Sequence, residues 1–89
     1  MPSVTIQHEG RKFEFFAVEP NRFNRWQLSY WRNDTRCARP ITDAKTGQQL
    51  NRNECKPTGG QVEAAVVEAI GRKLTGAELD QVFAIPLRN

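Results

Sequence analysis

Few residues of this 89-residue chain are equipped for covalent or proton-transfer chemistry. It has two cysteines, Cys37 and Cys55, and one histidine, His8. A closed four-ligand metal site built on these would have to recruit carboxylates, and neither spacing nor neighbours has that pattern. Two thiols are too few for a disulfide scaffold, so both are expected to be reduced. A nucleophile needs a base beside it. His8 stands next to Glu9 and Gly10 at the end of a predicted hairpin, where a solvated surface position is expected. Glu9, Glu14, Glu19, Asp34, Asp43 and Glu54 are scattered through strands and loops, with no flanking pattern that marks a general acid. No phosphate-loop or dinucleotide fingerprint occurs. Lys56, Pro57, Thr58, Gly59 and Gly60 place glycines at a helix N-terminus, a position that can hold an anion, but such runs are common. The chain therefore reads as non-enzymatic, with no metal and no small-molecule cofactor.

The pattern that remains is cationic. The net charge of +3 is mild, but its distribution is uneven. Between positions 21 and 40 stand Arg22, Arg25, Arg32, Arg36 and Arg39 against Asp34 alone. Phe23, Trp26, Tyr30 and Trp31 are interleaved with them. Arginine presents a planar fork that suits phosphate or carboxylate. From Thr58 onward the balance is slightly acidic. No apolar run approaches the length of a membrane span. The stretch Met1, Pro2, Ser3, Val4 lacks the basic and apolar regions of a secretory signal. A cytoplasmic location without a membrane partner is the expectation.

The elements that must position these side chains follow from period. Val4 and Ile6 alternate with polar neighbours, and Glu9 with Gly10 forms a tight turn. Strands are predicted roughly over 3–8, 12–19 and 25–32. A two-residue loop sets Ile6 against Phe13 and Val4 against Phe15. A four-residue loop at 20–23 sets Ala17 against Trp26, Phe15 against Leu28 and Phe13 against Tyr30. Residues 33–57 read as irregular, as a flexible loop, or as a short fourth strand or hairpin around a turn at 43–47 flanked by Ile41 and Leu50. In that hairpin Cys37 and Cys55 could come near each other. Thr58 with Gln61, and Thr75 with Glu78, have the capping-box spacing. Val62, Ala65, Val66, Ala69, Ile70 and Leu74 make an apolar stripe, so helices are predicted roughly over 59–74 and 76–84. Arg72 and Lys73 would sit in the last turn of the first, and Leu79, Val82 and Phe83 would face inward from the second.

The expected fold is a single α+β domain over 1–89. A three- to four-stranded antiparallel meander is packed on one face by the amphipathic helix, with a short second helix. The opposite sheet face then carries Lys12, Glu14, Phe16 and Val18 on one strand and Arg25, Gln27, Ser29 and Trp31 on the next. Trp31 falls across from Lys12, Val18 across from Arg25, and Phe16 near Gln27. The candidate binding residues are Lys12, Phe16, Arg22, Arg25, Trp31, Arg32, Arg36 and Arg39. Two functional readings fit them, and the first is placed ahead because the arginines are interleaved with aromatic residues. One is nucleic acid, with rings stacking on bases and cations neutralising phosphates. In layout, three strands and a helix resemble the arm-binding domains of phage integrases, which implies a sheet entering a duplex groove. The other is a protein partner, since Trp, Tyr and Arg dominate interface hot spots. In size and type the chain is similar to small phage and mobile-element proteins, including anti-CRISPR inhibitors, which implies that it blocks or adapts a larger machine. Against both stands a covered face: the 33–57 segment, the last helix or a second copy buries Phe16, Val18 and Trp31, and Lys12 over Trp31 is a local cation–π contact.

Overall fold

Glu9 and Gly10 open the fold in a computed structural model that describes residues 3–89. They take φ of 51° and 75°, so the chain reverses in two residues and His8 pairs with Arg11. Strands β1 (Val4–His8) and β2 (Arg11–Pro20) therefore meet in the expected register, Val4 with Phe15 and Ile6 with Phe13. These four side chains are at most 5% exposed.

The next pairing departs from expectation. Strand β3 (Trp26–Arg32) pairs Phe13 with Arg32 and Phe15 with Tyr30, then Ala17 with Ser29, Val18 with Leu28 and Pro20 with Trp26. The register shifts between Phe15 and Ala17, leaving Phe16 as the extra residue of a bulge. Two effects follow. The loop lengthens, with Trp26 opposite Pro20 instead of Ala17. Val18 moves to the core side, opposite Leu28 and 2% exposed, and not opposite Arg25.

Residues 33–57 hold more structure than their sequence suggests. Asn33, at φ 54°, turns the chain within two residues, and β4 (Thr35–Pro40) pairs back along β3. The result is a four-stranded antiparallel sheet in the order β1-β2-β3-β4. The turn at 43–47 is present, with Gly47 at φ 71° and Thr42 bridged to Gln49. Its flanks Ile41 and Leu50 are buried. This segment is organised around Trp26. The Trp26 amide donates to Leu50 O at 2.9 Å and its indole Nε1 donates to Cys55 O at 2.7 Å. Its carbonyl accepts from Ile41 N at 3.2 Å and from Gln49 Nε2 at 2.9 Å. Cys37 is half-buried, Cys55 is exposed, and both thiols are free.

Helix α1 (Gly59–Ile70) and helix α2 (Gly76–Val82) start at the two capping boxes read from the sequence. Thr58 Oγ1 accepts from Gln61 N at 3.3 Å, while Gln61 Oε1 accepts from Thr58 N at 2.8 Å. The first helix stops four residues earlier than predicted. Gly71 adopts the left-handed conformation, φ 92°, and its amide closes on Val67 O. Arg72 and Lys73 thus lie beyond the helix and not in its last turn. The second helix also ends early, at Val82. Phe83 does not face inward: it is 66% exposed and lies across Gly59, where a Cβ would meet its ring.

Both helices sit on one sheet face, α1 against β3 and β4 and α2 against β1. One core joins Val4, Phe13, Phe15, Trp26 and Leu28 of the sheet to Val62, Val66, Ile70 and Val82 of the helices. Residues near the end of the chain complete it. Val18 N donates to Pro86 O and Arg88 N donates to Val18 O, both at 2.8 Å, so this stretch runs beside β2 where β1 has ended. Among the described residues no helix is long and apolar enough to cross a membrane.

Candidate binding surface

The sheet face away from the helices is built by alternation. Since Phe13 and Phe15 point into the core, Lys12, Glu14 and Phe16 point out. Since Leu28 and Tyr30 point in, Gln27, Ser29 and Trp31 point out. The rows follow from pairing: Thr5, Glu14, Trp31 and Arg36 lie side by side across the four strands, and Ala17, Ser29 and Ala38 form the next row. Trp31 therefore faces Glu14, not Lys12.

The bulge decides what happens between these rows. Displaced from its own position in the ladder, Phe16 brings its ring to 6.4 Å from the Trp31 ring, at an interplanar angle of 36°. It is not beside Gln27. The Arg36 guanidinium lies 5.3 Å over the Phe16 ring, so the cation–π contact is Arg36 on Phe16 and not Lys12 on Trp31. Trp31 keeps 37% of its surface exposed, and Phe16 is half-buried. The segment after β4 closes over Trp26, at the opposite end of β3, and the helices lie on the other face. An aromatic pair flanked by a guanidinium is left open.

Polar groups frame it. Glu14 Oε2 accepts from Ser3 Oγ at 3.1 Å. In the next row Ser29 is 1% exposed and donates to Glu19 Oε2 at 2.7 Å. Gln27 Nε2 donates to Ser29 Oγ at 3.5 Å. Lys12 and Arg36 thus share the face with Glu14 and Glu19, so the surface is mixed in charge.

The arginines expected to act together are dispersed. Arg32 pairs with Phe13 and Arg39 with Leu28, so both project toward the helix side. Arg39 NH1 lies 3.8 Å from Glu68 Oε2 on α1. Arg22 occupies the loop between β2 and β3, its guanidinium 4.9 Å over the Phe23 ring, which is 66% exposed. Arg25 bridges to Asn51 and borders a polar pocket of about 420 Å³ with Gln48, Gln49 and Glu54. Of the eight candidates, the structure brings Phe16, Trp31 and Arg36 into one cluster and places Lys12 on the same face. Arg22, Arg25, Arg32 and Arg39 lie elsewhere.

A cluster that the sequence did not announce lies at the end of β1. Arg72 donates through NH1 and NH2 to the two carboxylate oxygens of Glu78 at 2.7 and 2.9 Å. Its Nε donates to His8 Nδ1 at 3.0 Å. His8 is thus not a free surface side chain. The fork from Arg72, followed by the Thr75 amide, holds the Glu78 carboxyl at about 2, while the same bond raises Arg72. The available signals were the isolated histidine at a strand end and the arginine just past the helix stop. Among the described residues, no group of three or more His, Cys, Asp or Glu side chains could hold a metal ion. Comparison with family models, with characterised proteins and with solved structures finds no match to this chain, so its function is read from the open face itself.

Proposed function

We propose that the chain is a non-enzymatic binding module that docks a protein partner on the open sheet face, as an inhibitor or adaptor of a larger assembly. The observation that carries this reading is the cluster of half-exposed Trp31, Phe16 and Arg36 on a face that neither helix covers. Aromatic side chains and arginine are the anchors that most often dominate protein interfaces. Arg36 is already stacked on Phe16, which leaves its N–H edges for a carboxylate and lowers the ordering cost of binding. Glu14, in the same row, suits a partner that presents a cation beside apolar atoms. Two free cysteines fit a reducing compartment, so we place this activity in the cytoplasm.

Nucleic acid is the second reading. It is favoured by Lys12, Arg22, Arg25, Arg32 and Arg36, none of which makes an ion pair among the described residues. It ranks second because a phosphate chain tracks cations along one surface, whereas these arginines are split between both sides of the sheet and Glu14 and Glu19 share the open face.

One experiment separates the two. Tagged wild-type protein, Trp31→Ala and Arg36→Glu are each used to capture partners at high salt and titrated with single- and double-stranded oligonucleotides over a salt series. A stoichiometric protein retained by the wild type and lost from both variants supports the proposal. Oligonucleotide binding that is strong at low salt, steeply salt-dependent and lost in Arg36→Glu would replace it with the second reading.

A further inference from the structure

We propose that His8 is a pH-sensitive latch between the sheet and α2, closed when its imidazole is neutral and released when Nδ1 takes up a proton.

The geometry fixes the protonation state of the closed form. Arg72 Nε has only a hydrogen to offer, so His8 Nδ1, at 3.0 Å, must accept. The imidazole then carries its single proton on Nε2. A second proton, taken from solvent at Nδ1, would turn the acceptor into a donor facing another donor. It would also place a cation against a guanidinium. The contact cannot survive that change in its present form.

Releasing it matters because of what Arg72 holds. The same guanidinium donates to both oxygens of Glu78 and, through NH1, to Lys73 O at 2.9 Å. Glu78 in turn caps the first turn of α2, accepting from Thr75 N at 2.9 Å and donating its amide to Thr75 Oγ1 at 3.2 Å. His8 ends β1, one residue before the turn. The chain of bonds therefore runs from sheet to arginine to helix start. It is short, directed and half-buried, with side-chain exposures of 25% for His8, 27% for Arg72 and 18% for Glu78. α2 contributes Val82 to the buried core and packs on α1 and β1, and this polar tie adds to that packing.

The charged groups around the imidazole have distinct roles. Arg72 meets the imidazole at Nδ1. Glu9 Oε1 lies 3.7 Å from Nε2 and is exposed. Arg11 is the cross-strand neighbour of His8. Glu78 is held at about 2 and stays ionised through the range in which imidazoles titrate. A change between pH 7.5 and 5 therefore does not alter the charge of that carboxylate.

Amide hydrogen exchange of the whole protein tests the latch, with rates corrected for intrinsic pH dependence and β2 and β3 as internal references. Protection of α2 amides should fall by up to about tenfold from pH 7.5 to 5, the equivalent of one lost hydrogen bond, while β2 and β3 hold. His8→Asn, which keeps an acceptor near the Nδ1 position without titrating, should remain protected at both pH values. His8→Ala should show the reduced protection at both. Imidazole ¹⁵N shifts should show the Nε2–H tautomer at pH 7.5. Three results would each overturn the proposal: α2 protection independent of pH in the wild type, the same pH response in His8→Asn, or a proton resident on Nδ1 at pH 7.5.

Discussion

Phe16 shows how much one residue decides. The alternation of Phe13, Phe15 and Ala17 reads as one continuous face, and the register inferred from it fails at the bulge. The reason is local. Phe15, Phe16, Ala17 and Val18 are all apolar, so this run satisfies either parity and cannot report where an extra residue enters. The polar flanks of β1 left no such freedom, and its register was legible. At the same scale, exposure separates Trp31 from the core. Trp31 is 37% exposed and Leu28 is fully buried. Trp31→Ala should therefore cost about 1 kcal/mol or less in urea unfolding, whereas Leu28→Ala should cost about 2–5 kcal/mol. An equal loss for both would mean that Trp31 is core and that the open face is not a docking surface. Glu78 makes a pH prediction. Its folded value, about 2, lies below its ordinary 4.5, so its pairing stabilises the fold above about pH 4.5 and is lost as pH falls toward 2. Glu78→Gln should lower Tm at pH 6 and flatten the fall in Tm between pH 5 and pH 2.5.

Among the elements, the helix starts were legible and the helix stops were not. A capping box is a chemical signature of two side chains at fixed spacing, and both boxes form. The end of α1 was masked because Leu74 continues the apolar period beyond Gly71, and period alone ran the helix on. The backbone shows what overrides it: Gly71 at φ 92° terminates the helix. Gly71→Ala should destabilise by about 1 kcal/mol, through the strain of a side chain at positive φ. Gly71→Asn should cost less, since Asn tolerates that region. Thr58→Ala should cost about 1 kcal/mol by loss of the cap. These three variants, compared by urea midpoint at constant m, distinguish a cap effect from a packing effect. The fourth strand was an open alternative in the sequence, and its bounds were not legible for a different reason. Its residues Thr35, Arg36, Cys37, Ala38, Arg39 and Pro40 are all exposed or half-buried at the sheet edge, so no hydrophobic alternation marks them.

The whole molecule is held by a sheet, a helical cover and a closing tail that share one core. The helical cover was predictable from two matching apolar stripes. The tail was not, because its pairing depends on a vacancy left elsewhere. Among the described residues β1 pairs with β2 as far as Phe15, which leaves the edge of β2 at Val18 to another segment. The backbone of Pro86 and Arg88 fills that edge, and Ile85, 7% exposed, joins the core beside it. Phe83 and Leu87 remain exposed and border a groove of about 160 Å³ with Val18, Val62 and Ile85. If this stretch is structural, Ile85→Ala should cost about 2–4 kcal/mol, from a lost buried side chain and an incompletely collapsed cavity. Removing residues 85–89 should cost more, since it also leaves Val18 without its two backbone partners. Unfolding should stay a single transition in which far-UV circular dichroism and Trp26 fluorescence, read in a Trp31→Phe background, coincide. Two separated transitions would show that the tail and α2 are a subdomain laid on the sheet. Coincidence with the predicted loss would show that the stretch near the end of the chain is as much a part of the core as β1.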